Sequence, residues 1–439
     1  MASSRHFVFV LVICAPYVLI HHSSAVAEDW PRWRGPRGDG TWNAPKLPDK
    51  WPAEGLPRIW KQPIGGGYAG ITVADGRVFT MDLEQPVVVR KDDKPDGIER
   101  VLCIDMKSGK LLWSHKYEVK YGGLGGYNNG PRCSPTFHDG KLYTFGAVGH
   151  LFCFDAANGK IIWSKDLVKD HKARVPEWGY ASSPVIDGDK VFIHAGIDPD
   201  GCMMAFERNT GKEIWRSLAD PAGYCTPIVI EPKSGKQLVF WTPLNIRGLD
   251  AETGKLLWTV PYKITYGVSI ATPIYRENIV FITGYWDGSK AIELGEKPGD
   301  FKLIWENKKN LRGLMAQPLY RDGYVYSVDK GNGLTCFKLK TGEILWNDDN
   351  KMTPKARNPH ASFVWINDDD RILSLNSDGQ LILARINPKG YEEQSRTRVI
   401  DGQVWSHPAF ADKYLFVKND GAERMGKGPF ELSCVKLAD

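Results

Sequence analysis

The chain has 439 residues, is 42% hydrophobic and 25% charged, and carries a formal net charge of +5. This is the make-up of a globular protein, and with no run of Lys or Arg it excludes an electrostatic footprint for nucleic acid. Gly 45 and Trp 16 are both high, a pairing that suits many tight turns and large flat packing surfaces.

The first segment reads as a targeting signal. Arg5 and His6 precede an apolar stretch from Phe7 to Ile20, and Ala25 and Ala27 form a small-x-small cleavage site. Residues 1–27 are expected to be a signal peptide cut after Ala27. The apolar stretch is short of the roughly 20 residues that span a bilayer. Ile13 stands before Cys14 where a lipid-attachment site needs a small residue, so a lipid anchor is not expected. The mature protein is expected to be periplasmic or secreted, with no membrane span. Residues 28–53 form a leader rich in Trp30, Trp33, Trp42, Arg32, Arg34 and Arg37. Two uses stand open for it: an exposed recognition patch, or an apolar arm that folds against the following domain.

Residues 54–439 read as one repetitive domain. The phrase "IDMKSGKLLW" (104–113) returns as "FDAANGKIIW", "FERNTGKEIW", "LDAETGKLLW" and "FKLKTGEILW". The recurrent tryptophans are Trp60, Trp113, Trp163, Trp215, Trp258, Trp305 and Trp346, spaced 53, 50, 52, 43, 47 and 41 residues apart. Such a period matches a four-stranded propeller blade. Within a unit, "SPTF", "KLYTFG", "HLFCFD" and "KIIW" alternate as strands, separated by "DG" and "NG" turns whose residues favour positive φ. The innermost strands begin at eight places, from "AGI" at 69–71 to "SHP" at 406–408. The prediction is therefore all-β: an eight-bladed β-propeller of four-stranded antiparallel blades. The seventh unit has Val399 where a tryptophan is expected, and the eighth ends at "ELSCVKLAD" with no outer strand. "GLPRIWKQ" around Trp60 has no blade of its own. An N-terminal strand is thus expected to complete the last blade and close the ring.

Seven cysteines follow the signal segment. Cys103, Cys153, Cys336 and Cys434 recur at one strand position, and Cys133 and Cys225 at another. Recurrence at a strand position predicts small, buried, free thiols, and no spacing suits zinc. "NDDDR" (367–371) falls where other units place a hairpin and reads as a solvated turn. "RKDDKPDGIER" (90–100) reads as an exposed extension of blade one.

The recurring D-x-x-T/S/N-G-K-x-x-W, with S/T-P before the next hairpin, resembles the tryptophan-docking repeat of the pyrroloquinoline-quinone-like β-propellers, from about Trp60 to the C-terminus. The leader "DWPRWRGPRGDGTW" is similar to the opening of many exported members. The resemblance implies that the repeat tryptophans pack between neighbouring blades, far from any cofactor. It also implies two possible activities: quinone-dependent dehydrogenase, or outer-membrane assembly scaffold of the BamB type. The dehydrogenases need adjacent cysteines forming a ring disulfide, a tryptophan floor, and oxygen ligands for Ca²⁺. No adjacent cysteines occur here, and no calcium set matches residue by residue. No catalytic residue, metal or cofactor is predicted; pyrroloquinoline quinone with Ca²⁺ belongs only to the dehydrogenase alternative.

The segments leading into the innermost strands should converge on one mouth of the central channel. They carry Tyr68, Asn128, Asn129, Arg132, Trp178, Tyr180, Tyr224, Arg312, Arg357, His360, Trp405 and His407. Aromatic rings with convergent polar groups suit a ligand or peptide pocket; they also suit filling of a narrow channel. The function expected is a binding or scaffold module of the cell envelope. Its partner would be another envelope protein or a small ligand, with no nucleic acid.

Overall fold

The Asp, Thr, Gly and Trp of the repeated phrase each have a task in the structure, a computed structural model that describes residues 28–84, 96–121, 124, 130–421 and 428–438. Residues 1–27, expected to be a signal peptide, and residues 85–95, which include the first part of the blade-one extension, lie outside the described residues. In the copy "LDAETGKLLW", the Asp250 carboxylate accepts the Thr253 N–H at 2.8 Å and its hydroxyl at 2.7 Å. Gly254 reverses the chain at φ +72°, a conformation open to glycine at little cost. The outer strand then begins with a β-bulge between Leu249 and Gly248, so two aliphatic residues face a single partner. The same irregularity precedes Trp60, Trp113, Trp163, Trp215, Trp305 and Trp346.

The tryptophan of one copy docks on the glycine of the next. A Cβ added to Gly109, Gly159, Gly211 or Gly254 would lie 2.5–2.7 Å from the indole of Trp60, Trp113, Trp163 or Trp215, respectively. Indole N–H groups cap the same hairpins: Trp60 donates to the Met106 carbonyl (2.9 Å), Trp113 to Ala156 (3.1 Å) and Trp163 to Arg208 (2.9 Å). Blade 5 replaces the T-G turn with "GEKPGD", and there the pattern breaks. Trp258 turns back to the Gln237 side chain of its own blade at 2.7 Å. Opposite each docking tryptophan stands a small residue: Cys103, Cys153, Ala205, Gly248, Ala291, Cys336 or Cys434. The seven described cysteines are buried and free.

Eight sheets result. Blades 1 to 7 start their innermost strands at Thr72, Thr136, Val185, Ile228, Ile274, Leu319 and Ala361, and each runs outward in chain order. Blade 8 takes its three inner strands from 409–436 and its outer strand from Arg58–Pro63, antiparallel to Glu431–Lys436. The predicted closure is therefore the observed one. The tryptophan position of blade 7 is not Val399, which lies beyond the outer strand, but Ser395, opposite Leu383 at the same bulge. Blade 8 takes its outer strand from the N-terminal part and so has no T-G hairpin between its third and outer strands; a tryptophan at 395 would have no glycine to meet. Between blades, the S/T-P position links neighbours around the channel. Ser183 Oγ accepts the Ser134 N–H (2.9 Å), Thr226 Oγ1 accepts that of Ser183 (3.0 Å), and Gln317 Oε1 accepts that of Thr272 (2.7 Å).

The leader folds against the ring. Trp30 bridges Val73, and Thr41–Trp42 runs parallel to the innermost strand of blade 7. Trp30 and Trp42 are 4% and 0% exposed and both pack on Phe410, at 5.3 and 5.0 Å between ring centres. Arg34, also buried, donates to the Pro318 carbonyl at 2.6 Å. Burial pulls its pKa down to about 10. These contacts lie at the hairpin end of the innermost strands, opposite the segments that lead into them.

Candidate functional site

At the entry end of the innermost strands lies a cavity of about 450 Å³ to which all eight blades contribute. Tyr68 and Trp405 stack there at 5.6 Å, with the Arg132 guanidinium 5.4 Å over the Tyr68 ring. Across from them Trp178 meets Tyr224 at 5.9 Å. A third aromatic wall comes from blade 5, where Trp286 packs on Tyr285 (4.9 Å) and Tyr266 (5.8 Å), and Lys330 sits 3.4 Å over the Trp286 ring. Arg357, Asn358, Leu314, Met315 and Gln317 complete the circuit. Tyr266 holds φ +58° and is 69% exposed at the rim, a backbone position that costs energy for a non-glycine residue.

The floor is polar but uncharged. His360 and His407 lie 5.7 Å apart. Burial pushes the His360 pKa down to about 4. Burial, His360 and Arg34 hold His407 well below the ordinary range. Both imidazoles are therefore neutral at pH 7, and Nδ1 of His360 has no hydrogen-bond partner. The leader's Trp33 reaches the same floor, its ring 4.2 Å from His407 and its N–H donated to Thr272 Oγ1 at 2.8 Å.

Buried acceptors behind the walls fix the entry segments. Asp420 accepts the backbone N–H groups of Trp405 and Ser406 and the Ser406 hydroxyl. Burial raises its pKa to about 6. Thr283 Oγ1 accepts the Gly313 N–H at 2.8 Å, and Asp329 accepts that of Arg312 at 2.9 Å.

Eight of the twelve candidate residues line the cavity: Tyr68, Arg132, Trp178, Tyr224, Arg357, His360, Trp405 and His407. Arg312 is drawn toward Asp329, 3.5 Å from its carboxylate. Tyr180 is fully buried and donates to the Ala195 carbonyl at 2.7 Å. Asn128 and Asn129 lie outside the described residues. Sequence reasoning missed Trp33, Glu177, Tyr266, Tyr285, Trp286, Met315, Gln317 and Asn358 as lining residues. Tyr266 and Met315 sit in the entry segments already singled out and share their register. Tyr285 and Trp286 come from a turn between two strands of blade 5.

Among the described residues, one lining side chain, Glu177, is a carboxylate and none is a cysteine. Among the described residues no three His, Cys, Asp or Glu side chains cluster to hold a metal ion. The calcium-bound quinone and ring disulfide implied by the dehydrogenase resemblance therefore do not fit this donor set. "NDDDR" is a hairpin tied by ion pairs from Asp369 to Arg371 (2.7 Å) and Arg385 (3.0 Å).

A family model described as outer membrane protein assembly factor BamB matches residues 97–348 and 245–398. The chain is 34% identical over 145 residues to quinohemoprotein alcohol dehydrogenase ADH IIB of Pseudomonas putida, covering 30% of this chain and 21% of that protein. It is 21% identical over 274 residues to the outer membrane protein assembly factor BamB of Yersinia pestis, covering 60% and 67%. A europium-containing methanol dehydrogenase shares the fold with a TM-score of 0.66 at 11% identity, over 93% of this chain and 98% of that one.

Proposed function

We propose, from the premise that the chain belongs to the family whose model is described as outer membrane protein assembly factor BamB, that it is an exported binding propeller working without a quinone. Its seat is the channel-mouth cavity, and its ligand is a small organic molecule with flat apolar faces and an anionic group. One observation carries this reading. Among the described residues, three aromatic walls over neutral histidines meet two arginines, Arg132 and Arg357, and a single carboxylate, Glu177. A cavity of this size and lining suits a small molecule, and guanidinium groups pair with carboxylate or phosphate oxygens in a fixed fork. The leading segment 1–27 supports export. A second reading, a scaffold that holds a protein segment at the same mouth, is favoured by the exposure of Tyr266 and Trp286 at 69% and 42%. Trp, Tyr and Arg dominate protein-binding hot spots.

Calorimetric titration with 2-naphthoate and with the neutral 2-naphthalenemethanol tests the reading. The expected result is one site, at least tenfold tighter for the anion, and weakened by Trp178→Ala. Stoichiometric uptake of pyrroloquinoline quinone with Ca²⁺ and dye-linked alcohol oxidation would overturn it. Capture of an envelope protein by wild type but not by Trp286→Ala, with no naphthoate binding, would replace it with the scaffold reading.

A further inference from the structure

The floor of the cavity does not come from the ring alone: Trp33 of the leader stands beside His407 there. The leader crosses the opposite end of the channel, and both sides of the crossing are anchored. Before it, Trp30 pairs with Val73 and the Pro31 carbonyl accepts the Phe137 N–H at 2.7 Å. After it, Arg34 is bonded to Pro318, and Thr41 and Trp42 pair with Trp365 and Ile366. The turn between these anchors is closed by its own backbone, Gly38 N–H to the Gly35 carbonyl and Gly40 N–H to that of Arg34, each at 3.0 Å.

Trp33 stands in the middle of this crossing. Trp30 and Trp42 are buried and account for the docking of the arm. Trp33 is only half-buried, and it lines the cavity. Its N–H is committed to Thr272, and one contact of its ring is with His407. An indole held by its edge, with surface left open to an enclosed aromatic space, is placed to meet a bound molecule rather than to fill a core.

We propose that Trp33 is a ligand-binding residue, so that the N-terminal leader forms part of the floor of the site and its docking is linked to ligand binding. The proposal rests on the binding reading above and deepens it. A ligand that touches Trp33 binds the docked leader better than the undocked one. By linkage it tightens the docking by the same factor that docking tightens the ligand. The mouth and the opposite face of the ring are thereby coupled through one residue, without any change in the blades.

The test uses the full chain, 2-naphthoate as the probe, and hydrogen exchange across residues 28–43. Trp33→Ala is expected to weaken 2-naphthoate at least tenfold. Trp33→Phe, which keeps a ring but loses the N–H to Thr272, is expected to fall between. Saturating 2-naphthoate should slow exchange at Gly35, Gly38 and Gly40 in wild type and not in Trp33→Ala. Thermal melts verify that each variant folds. If Trp178→Ala weakens the probe and Trp33→Ala binds within twofold of wild type, the role of Trp33 fails while the binding reading stands. Unchanged leader exchange in probe-saturated wild type would equally overturn the linkage. No probe binding to wild type would overturn both.

Discussion

At the scale of single residues, the structure turns on small side chains placed against large ones. Gly248 is the sharpest case. Trp258 folds back over its own blade, and a Cβ at 248 would lie 2.1 Å from the indole. Gly248→Ala should therefore force the ring off its Gln237 partner and cost about 1–3 kcal/mol, in the range of overpacked cores. Cys103→Ala, which only trims a thiol opposite Trp113, should cost about 1 kcal/mol or less. Urea unfolding of the two variants checks the ranking, and equal losses would refute it. His360 gives a prediction of a different kind. Unfolded, it protonates near pH 6.5; folded, only near about 4. Between those values the unfolded chain holds the extra proton, so acidification from 6.5 toward 4 removes stability, by about 1.4 kcal/mol per pH unit for one such group. Asp420, raised to about 6, acts with the opposite sign over that range, so the informative quantity is the difference between proteins. His360→Gln should flatten the fall of melting temperature between pH 6.5 and 4. An unchanged slope would mean that His360 protonates without leaving the fold.

At the scale of elements, the hairpin and outer strand form one unit because the glycine of each copy is shaped for the tryptophan of the copy before it. Much of this was legible in the sequence. The D-G turns, the T-G turns and the tryptophan spacing are local, and they identify the strands and their order. The missing outer strand after Lys436 pointed to Arg58–Pro63, as the pairing shows. The resemblance implied that the tryptophans pack between blades, but their individual partners were not legible, because spacing alone does not say that Trp60 meets Gly109. The site was legible in part for the same reason. Segments entering the innermost strands had to converge, so eight of the twelve candidates reached the cavity. Where a loop side chain turns is decided by its partner: Arg312 went to Asp329 and Tyr180 to Ala195. Trp33 carried no periodic signal, since the leader belongs to no blade, and Tyr285 and Trp286 occupy a turn that other blades leave without aromatic pairs. The bulge before each tryptophan has a surface consequence as well. It leaves aliphatic pairs such as Leu111 and Leu112 57% and 48% exposed on the outer rim, which explains their recurrence without assigning them a partner.

At the scale of the whole molecule, stability depends on how the ring is closed. Seven of the junctions between blades join segments adjacent in the chain, whereas the junction through blade 8 joins its two ends. The N-terminal part supplies Trp30, Trp42, Trp51 and Trp60 to one buried cluster with residues of blades 1, 7 and 8. Trp60 is the member that reaches across the seam: its strand pairs with Glu431–Lys436 while its ring sits on Gly109 and its N–H on the Met106 carbonyl of blade 1. Removing it deletes a buried indole, uncaps a hairpin and loosens the strand by which the N-terminal part completes blade 8. Trp60→Ala should cost about 3–5 kcal/mol, whereas Trp286→Ala, at a site 42% exposed, should cost about 1 kcal/mol or less. Hydrogen exchange distinguishes a seam from a general loss. In Trp60→Ala, amides of blades 8 and 1 should open at lower free energy than those of blade 4, because local opening starts where the fewest contacts hold the backbone. Uniform exchange across all eight blades would show that the ring unfolds as one unit and that its closure is no weaker than any other junction.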